Sequence, residues 1–514
     1  MTDAQSLLSR EFATLPELVR AHAAARPDAI AVADAARRLS WTELDGMADR
    51  IAARLQADGL TIGARVALAG VNSAAQVAVI IGALRAGACA GLVTTSATGE
   101  QMAAMVRDTG AAHLFLDTAA AASFDGYAIG AVARIAMDGA AAGQPLDAWM
   151  APAGTQPVPV TITPDDEFNI IYSSGTTGTP KGIVHSHGMR WQHIMRGVPA
   201  YGPAAVTILS TPLYSNTTMA SFLPTLGSGG KVVLMPKFDA RGFLELAQRE
   251  RATNCMLVPV QYRRIMALPD FDAFDLSSFV MKYCTSAPFA AELKAEVLAR
   301  WPGGLVEIYG MTEGGGVCLL EAHKYPHKLH TVGQPAPGHD MRVIDADGNE
   351  LPPGSVGEIV GRSPAMMKGY NNRPDATSAM HWHDSGGNLF YRHGDIGRFD
   401  EDGFLTLMDR AKDMIISGGF NIFPSDLEAI LLADPRVVEA AVVGVPSEEW
   451  GETPVAFVVL KHGDAEDVRA ACNAQVGKTQ RLSAISVVDE LPRSPIGKVL
   501  KRELRDAYTA KPAA

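Results

Sequence analysis

The sequence predicts a layered α/β fold in a large N-terminal domain, followed by a smaller C-terminal α+β domain. Three observations support this prediction. Short apolar stretches alternate with helical stretches over much of the first 310 residues, which is typical of layered α/β architecture. Short strand-like segments separated by turns follow from about Gly333. The length of 514 residues exceeds what one hydrophobic core supports, so more than one domain is expected.

The first elements are predicted from caps and apolar patterns. Thr14 and Glu17 form a Ser/Thr-x-x-Glu capping pair, and Pro16 lies near the start of the helix that they open. Two buried strands and two amphipathic helices follow: strands Ala29–Val32 and Arg65–Ala69, and helices Trp41–Ala57 and Ala75–Ala88. The segment Ala119–Val158 is rich in Ala, Gly and Pro, so we expect loops there.

The alternation of strands and helices resumes after the middle of the chain. The predicted strands are Val206–Leu209, Lys231–Met235, Cys255–Pro259 and Val280–Cys284, and the predicted helices are Ala240–Arg249 and Val260–Ala267. Turns such as Asp345–Gly348 then indicate a small antiparallel or barrel-like part. A polar segment, Asp409–Asp413, precedes a βαβ-like tail, so we predict domains 1–410 and 411–514.

Composition excludes several classes of protein. The net charge of −11 argues against a general nucleic-acid binder, which needs a basic face. The N-terminus lacks the basic and apolar pattern of a signal peptide, and no apolar run reaches a membrane span. The five cysteines are scattered without a CxxC pair, which favours reduced thiols in a cytoplasmic protein. A monomer and a homodimer are both compatible with these properties.

A glycine- and hydroxyl-rich run is the strongest sign of chemistry. It follows an apolar strand-like stretch and reads Tyr172-Ser173-Ser174-Gly175-Thr176-Thr177-Gly178-Thr179-Pro180-Lys181-Gly182. Glycine allows close approach of backbone N–H groups to an anion, hydroxyls add donors, and the lysine adds positive charge. The run lacks the GxxxxGK[ST] order of the P-loop. We interpret it as a polyphosphate site, and a flexible surface loop is the plain alternative.

Four further motifs accompany this run. Tyr309-Gly310-Met311-Thr312-Glu313 offers an aromatic face, a hydroxyl and a carboxylate, and hard oxygen ligands suit Mg²⁺. Asp395, after a turn glycine in Tyr391–Asp395, is suited to accept hydrogen bonds from ribose hydroxyls. The other two motifs are Asp409–Asp413 and Ser494–Lys498.

In these motifs and their order the chain resembles the AMP-forming adenylating superfamily of acyl-CoA synthetases, firefly luciferase and non-ribosomal peptide synthetase adenylation domains. It is most similar to aryl- or acyl-CoA ligases of the 4-coumarate and chlorobenzoate type. The resemblance implies an ATP loop from Ser173 to Lys181, with Thr312 at the α-phosphate and Glu313 on Mg²⁺. The adenosine contacts that it implies are Tyr309, Gly310, Met311, Ser286, Ala287, Pro288, Asp395 and Arg410. It also implies a hinge at Lys412 and a catalytic lysine, Lys498, in a mobile C-terminal domain.

Further matches concern coenzyme A. Gly418 and Gly419 resemble the turn that lines the pantetheine tunnel, and Trp450 matches a tryptophan that stacks on the CoA adenine. Arg85 and Arg481 fall where certain aryl-CoA ligases bind CoA phosphates. For Arg85 a helix-surface arginine is the plain alternative.

The reaction implied by the resemblance has two halves. A carboxylate attacks the ATP α-phosphorus to give an acyl-adenylate and pyrophosphate, and the CoA thiol then displaces AMP. Charge that builds up on the phosphate oxygens is stabilised by Mg²⁺, Lys498 and loop N–H groups. The C-terminal domain rotates between the halves, which withdraws Lys498 and excludes water.

The chain departs from the family pattern near the acid site. Ser215 stands where an aromatic or histidine is frequent, so the gating role belongs either to Tyr214 or to neither. Thr285-Ser286-Ala287 replaces small Gly-rich sequences, and Gln480-Arg481-Leu482 lacks the frequent Lys-x-Pro. The acid pocket that we predict is mostly apolar or neutral and consists of Met189, Trp191, Tyr214, Ser215, Thr217, Met219, Thr285, Gly310, Gly315 and Val317.

Alternative functions differ in substrate or in chemistry. Residues 214–220 contain no aspartate to pair a substrate ammonium, which argues against an amino acid substrate. An aryl, arylalkanoic or arylalkenoic acid is favoured, with a medium-chain fatty acid, a carrier-protein-loading enzyme and a non-catalytic binder as alternatives. His185 and His187 could suggest a metal pair, but nothing nearby completes a ligand set, so packing is the preferred interpretation.

Overall fold

The computed structural model describes residues 3–139, 143–173, 180–410, 413–417, 420–447, 450–477, 480–494 and 497–509. Its described helices are α1 Asp3–Leu8, α2 Leu15–Ala25, α3 Trp41–Ala57, α4 Ala74–Arg85, α5 Gly99–Thr109, α6 Thr118–Ser123, α7 Leu146–Trp149, α8 His187–Gly197, α9 Asn216–Gly227, α10 Ala240–Glu250, α11 Pro259–Met266, α12 Ala291–Arg300, α13 Pro374–Ser378, α14 Pro424–Ala433, α15 Ala465–Asn473 and α16 Lys501–Thr509.

The described strands are β1 Ile30–Ala33, β2 Arg38–Ser40, β3 Arg65–Ala69, β4 Cys89–Leu92, β5 His113–Leu116, β6 Ala133–Ala136, β7 Gln144–Pro145, β8 Glu167–Ser173, β9 Lys181–Ser186, β10 Val206–Leu209, β11 Lys231–Leu234, β12 Asn254–Leu257, β13 Met281–Thr285, β14 Gly304–Gly310, β15 Val317–Glu321, β16 Gln334–Pro335, β17 Asp340–Ile344, β18 Gly357–Arg362, β19 Gly369–Tyr370, β20 His381–His383, β21 Leu389–Phe399, β22 Leu405–Arg410, β23 Ile415–Ser417, β24 Phe420–Ile422, β25 Val437–Ser447, β26 Gly451–Leu460 and β27 Ala484–Val487.

Two large sheets form the N-terminal part. The first has the strand order β16-β15-β14-β13-β12-β10-β11-β1-β2, and β10 to β14 pair in parallel. The second has the order β19-β9-β8-β4-β3-β5-β6-β7 and is parallel from β8 to β7. Strands such as β10 and β12 are buried almost throughout because helices cover parallel sheets on both faces.

The main hydrophobic core lies where α2, α3, α4 and α9 pack on these sheets. The Thr14–Glu17 capping box that we predicted at the start of α2 is present. Helix α4 is buried along its whole length, so our prediction of an amphipathic helix over Ala75–Ala88 is wrong in character. Gly82 allows the close approach of α3, because a Cβ there would lie 2.6 Å from Cγ2 of Ile51.

Two smaller sheets follow. The first is antiparallel, with β17-β18-β21-β20 in order and β22 paired on β21, as the turn-rich sequence predicts. The second has the order β24-β23-β26-β25, and β27 lies parallel to β26 after the α15 crossover. Residues 411 and 412, where we predict the domain boundary and the hinge, lie outside the described residues.

The prediction of loops over Ala119–Val158 is wrong in part. The segment includes β6, which pairs in parallel with β5, the two-residue β7 and the short helix α7. These elements are short and edge-lying, so their sequence carries little periodicity. In the part of the chain that the structure describes, every helix is too short or too polar to cross a membrane.

Candidate active site

The motifs predicted from the sequence meet at one edge of the first large sheet. Carboxyl ends of parallel strands lie at the same edge, so β12, β13 and β14 end side by side there. Ser286 follows β13, and Met311, Thr312 and Glu313 follow β14. This edge is where open α/β sheets bind ligands.

Tyr309 and Asp395 are in direct contact. The Tyr309 hydroxyl donates a hydrogen bond to Oδ2 of Asp395 at 2.7 Å and lies 3.2 Å from Nδ1 of His393. The other ring nitrogen of His393 donates to the Gly315 carbonyl at 2.7 Å, and burial lowers the pKa of this histidine. Arg410 lies opposite Asp395 in the β21–β22 ladder, so the predicted ribose pair has adjacent backbone positions.

Glu313 and Lys181 share a partner that sequence reasoning missed. The Tyr370 hydroxyl donates to Oε1 of Glu313 at 2.6 Å, and Nζ of Lys181 lies 5.2 Å from the centroid of the Tyr370 ring. Burial raises the pKa of Tyr370, so its hydroxyl remains a donor. The sequence signal for Tyr370 is its pairing with Gly369. These two residues form β19, which pairs with β9, the strand that begins at Lys181.

The glycine-rich run connects two paired strands. Ser173 at the end of β8 pairs with Lys181 at the start of β9. The run's residues Ser174, Gly175, Thr176, Thr177, Gly178 and Thr179 lie outside the described residues. The strand predicted before the run is confirmed, since β8 spans Glu167–Ser173.

Two of the residues that we predict in the acid pocket, Thr217 and Thr285, make hydrogen bonds to neighbouring segments. The hydroxyls of Thr217 and Ser286 lie 2.5 Å apart, and the Thr285 hydroxyl donates to the Ile308 carbonyl at 2.6 Å. Ser286 has a φ of +82°, a conformation that is strained for a residue other than glycine. Two neighbouring segments of the site are therefore joined through side chains at a strained backbone position.

The departure at Ser215 has a structural explanation. Ser215 is the N-cap of α9, and its hydroxyl accepts from the Thr217 N–H at 3.2 Å. The Tyr214 hydroxyl donates to Oγ of Ser96 at 3.4 Å, and Met219 is buried in the main core.

Gly314 and Gly315, which follow the Tyr309–Glu313 motif, are packed too closely for a larger residue at either position. The Met189 methyl lies 3.0 Å from the position that a Cβ on Gly314 would take, and the Tyr391 Cβ lies 2.8 Å from that on Gly315. Val317 begins β15 and pairs with Gly310. These residues remain predictions as pocket residues.

Trp191, which we predict in the acid pocket, is buried. Residues i and i+2 of a helix point about 200° apart, so Trp191 faces away from Met189. Its ring packs edge-on against Phe12 with centroids 6.3 Å apart and belongs to the main core. Its place in the acid pocket stays a prediction, as it does for Tyr214 and Met219, which belong to the same core cluster.

The prediction of Arg85 as a ligand of CoA phosphates is wrong. Its side chain is buried and donates to the Asp49 carboxylate at 2.8 Å and to the Asp45 carboxylate at 2.5 Å. Further donors bind the carbonyls of Asp45 and Pro16. The plain alternative, a surface arginine, fails as well, because Arg85 ties α2, α3 and α4 together.

Of the remaining residues matched to CoA, Trp450 directly precedes β26 and Arg481 lies shortly before β27. Gly418 and Gly419 are outside the described residues, but Ser417 before them pairs with Gly451, the residue after Trp450. Arg481 is exposed, and the Ser483 N–H donates to the Pro454 carbonyl at 2.9 Å, which holds this segment beside β26. Ser417, Gly451 and Ser483, which lie beside residues matched to CoA, thus belong to neighbouring segments.

Lys498 directly follows Gly497, which contacts helix α11. The Ser494 N–H donates to the Lys498 carbonyl at 2.8 Å, and a Cβ on Gly497 would lie 2.9 Å from Cγ1 of Val260. Val260 is in α11, directly after the carboxyl end of β12. The exposed lysine is therefore carried to the edge of the sheet where the nucleotide motifs meet.

His185 and His187 are buried, as the packing interpretation predicted. Within the described residues no group of His, Cys, Asp and Glu has a metal-binding arrangement. Burial lowers the pKa of His185 and His193 well below the ordinary value, and the Arg190 charge lowers both further. Burial lowers the pKa of His187 to about 4.

These three histidines predict a loss of stability in mild acid. Below pH 6.5 the unfolded chain binds protons that the folded protein does not, so the free energy of unfolding falls as the pH falls. Each ring contributes up to about 1.4 kcal/mol per pH unit. We expect the urea midpoint to drop between pH 7 and pH 5.5. Glu307 offsets part of the slope, since burial raises its pKa to about 7.

The matched control for this prediction is His187→Phe. It keeps an aromatic ring against Phe168, whose centroid lies 5.0 Å away, but cannot bind a proton. Its urea midpoint should depend less steeply on pH than that of the natural protein. Equal slopes for the two proteins, or a midpoint that rises in acid, would contradict the assignment.

Comparison with known proteins gives a consistent result. The family model described as "AMP-binding enzyme" matches residues 19–371, and that described as "AMP-binding enzyme C-terminal domain" matches residues 426–498. An indoleacetate–CoA ligase of Aromatoleum aromaticum is 33% identical over 97% of this chain and 98% of its own. A fatty acid–[acyl-carrier-protein] ligase of Streptomyces coeruleorubidus is 31% identical over 97% of each chain. The structure of an amide bond synthetase from Marinactinospora thermotolerans has a TM-score of 0.85 and 28% identity, over 96% of this chain and 99% of that one.

Proposed function

Because this chain belongs to the AMP-binding enzyme family, we propose that it is an AMP-forming carboxylic acid–CoA ligase that acts on an aryl, arylalkanoic or arylalkenoic acid. The reaction class is the AMP-forming ligation of a carboxylic acid. We propose three finer points: the identity of the acid, the roles of single residues and the use of Mg²⁺.

One observation carries the proposal. Tyr309 and Glu313 share one stretch, Asp395 and Lys181 come from two others, and Tyr370, from a fourth, links Glu313 to Lys181. An aromatic face, a ribose-binding carboxylate, a second carboxylate and a cation are the groups that a nucleoside triphosphate requires. They lie at the ligand-binding edge of the sheet.

In the first half-reaction the acid's carboxylate oxygen attacks the α-phosphorus of ATP and expels pyrophosphate. Lys498 and the N–H groups of the glycine-rich run stabilise the negative charge that develops on the phosphate oxygens. Glu313 suits Mg²⁺, which proteins bind through one or two carboxylates together with substrate phosphates. When bound, Mg²⁺ neutralises phosphate charge.

In the second half-reaction the thiol of CoA attacks the acyl carbonyl and AMP leaves with the former carboxylate oxygen. The turn at Gly418 and Gly419 must then replace Lys498 at the site. Rotation of residues 411–514 about Lys412 would exchange them, and closure would protect the mixed anhydride from water.

The residues that we predict in the pocket favour a carboxylic acid whose tail is uncharged. Met189, Met219 and Val317 offer apolar contacts, and Thr217, Ser286 and Thr285 offer hydroxyls. Burying a substrate ammonium without an anionic partner would be costly, and residues 214–220 provide no aspartate. An aromatic acid with a neutral polar substituent fits these groups.

A panel of acids tests the proposal. Benzoic, phenylacetic, indoleacetic, cinnamic and octanoic acids are each incubated with ATP, Mg²⁺ and the protein, with and without CoA. We expect pyrophosphate release with aromatic acids and sustained AMP release only with CoA. Release of ADP, or turnover confined to octanoic acid, would refute the reaction class or the substrate class respectively.

Carrier-protein loading is the alternative that one relative favours. Trp450 distinguishes the two acceptors, because stacking of an adenine on an indole is worth about 1–2 kcal/mol. We expect Trp450→Ala to raise the KM for CoA roughly 5- to 30-fold and to leave the KM for ATP nearly unchanged. Similar changes in both constants would remove the stacking role.

A further inference from the structure

Arg190 is a buried cation with neutral partners. It lies in α8, is completely buried, and donates to Oδ1 of Asn169 at 2.8 Å and to Oδ1 of Asn216 at 2.8 Å. It also donates to Nδ1 of His185 at 2.9 Å and to Nδ1 of His193 at 3.0 Å. Among the described residues none of its hydrogen-bond partners is a carboxylate. A buried cation without a counter-charge is costly, so its retention suggests a role beyond packing.

The contacts of Arg190 determine the tautomer of His185. A guanidinium has N–H donors and no acceptor, so Nδ1 of His185 must accept and its proton must lie on Nε2. That Nε2 lies 2.9 Å from the carbonyl oxygen of Thr312 and donates to it. Two hydrogen bonds therefore connect Arg190 to the motif that contains Thr312 and Glu313.

A second branch leads to the acid side of the site. Asn216 is the first residue of α9, between Ser215 and Thr217. Its oxygen accepts from Arg190, so its amide nitrogen is directed away from the guanidinium. Thr217, the next residue, contacts Ser286, which places Asn216 beside the acid pocket.

We propose that Arg190 is a positioning residue of the adenylating site, which holds the Thr312 carbonyl through His185 and the start of α9 through Asn216. The proposal rests on the proposed function, because the two branches end at the nucleotide side and the acid side of that site. The uncompensated charge of Arg190 also favours anionic substrates at the carboxyl edge of the sheet.

Variants of His185 test the nucleotide branch without changing Arg190. His185→Gln can still accept from Arg190 and donate to Thr312, whereas His185→Leu keeps the volume and loses both bonds. We expect His185→Leu to lower the kcat of acid-dependent pyrophosphate–ATP exchange roughly 10- to 100-fold and to weaken binding of trinitrophenyl-ATP. His185→Gln should restore both values to within about three-fold of the natural protein.

Asn216→Ala tests the acid branch. It should raise the KM for the acid and leave the KM for ATP unchanged, a split that a general loss of packing would not produce. The proposal is overturned if His185→Leu stays within about two-fold of the natural protein, or if His185→Gln is as impaired as His185→Leu. It is also overturned if Asn216→Ala changes both KM values equally.

The two proposals fail in different ways. If no acid of the panel supports exchange in the natural protein, the proposed function fails. The trinitrophenyl-ATP affinities of His185→Leu and His185→Gln then decide on the positioning role. Weaker binding in His185→Leu with recovery in His185→Gln supports that role, and equal affinities overturn it.

Discussion

Replacing Lys498 by alanine should nearly abolish adenylation and spare the second half-reaction. Lys498 is exposed at the end of a hairpin that contacts α11, so the substitution removes a charge without opening the core. A preorganised group that stabilises transition-state charge is worth about 10²- to 10³-fold in rate. We expect a loss of that size in pyrophosphate–ATP exchange.

The half-reactions can be measured separately in this variant. Thioester formation from chemically prepared acyl-adenylate and CoA should proceed at a rate close to that of the natural protein. Lys501→Ala is a matched control, because Lys501 is a nearby cation that pairs with Glu428 at 2.8 Å. Equal loss of both half-reactions in Lys498→Ala would contradict the exchange of Lys498 for the Gly418 turn.

Replacing Glu313 by glutamine should have the second largest effect. The amide keeps the shape of the side chain and can still accept from Tyr370, so the change removes charge alone. We expect the kcat of pyrophosphate–ATP exchange to fall about 10²-fold or more, since a metal clamp on phosphates supplies several kcal/mol. The Mg²⁺ concentration for half-maximal exchange should rise as well.

Tyr370→Phe provides the comparison for Glu313→Gln. It removes the hydrogen bond to Glu313 and leaves both the carboxylate and the aromatic face over Lys181. Its effect should be smaller, about 10-fold, because the carboxylate is loosened and not neutralised. If Glu313→Gln matches the natural protein at every Mg²⁺ concentration, Glu313 is not a metal ligand.

Much of the fold could be predicted because its signals are local. The capping box at Thr14 and the strands of the first sheet depend on residues adjacent in the chain. Helix α3 was predicted with its observed bounds, Trp41–Ala57. The sequence of α4 could have predicted its full burial, because apolar residues occupy all its faces and a helix that is apolar all round is buried.

The errors at the site come from contacts that sequence spacing does not encode. Arg85 matches a position near a ligand in relatives, but here its guanidinium pairs with the Asp49 carboxylate. Tyr370 and Arg190 act through residues 57 and 26 positions away along the chain, namely Glu313 and Asn216. Such partners become visible only when the strands and helices are in place.

We propose that separate stretches of the chain bind one nucleotide, so that a carboxylic acid can be joined to AMP. An acid labelled with oxygen-18 in its carboxylate tests this claim, with ATP, Mg²⁺ and CoA supplied and the products examined by mass spectrometry. We expect AMP that carries one oxygen-18 atom from the acid. Unlabelled AMP, or label in inorganic phosphate together with ADP, would contradict it.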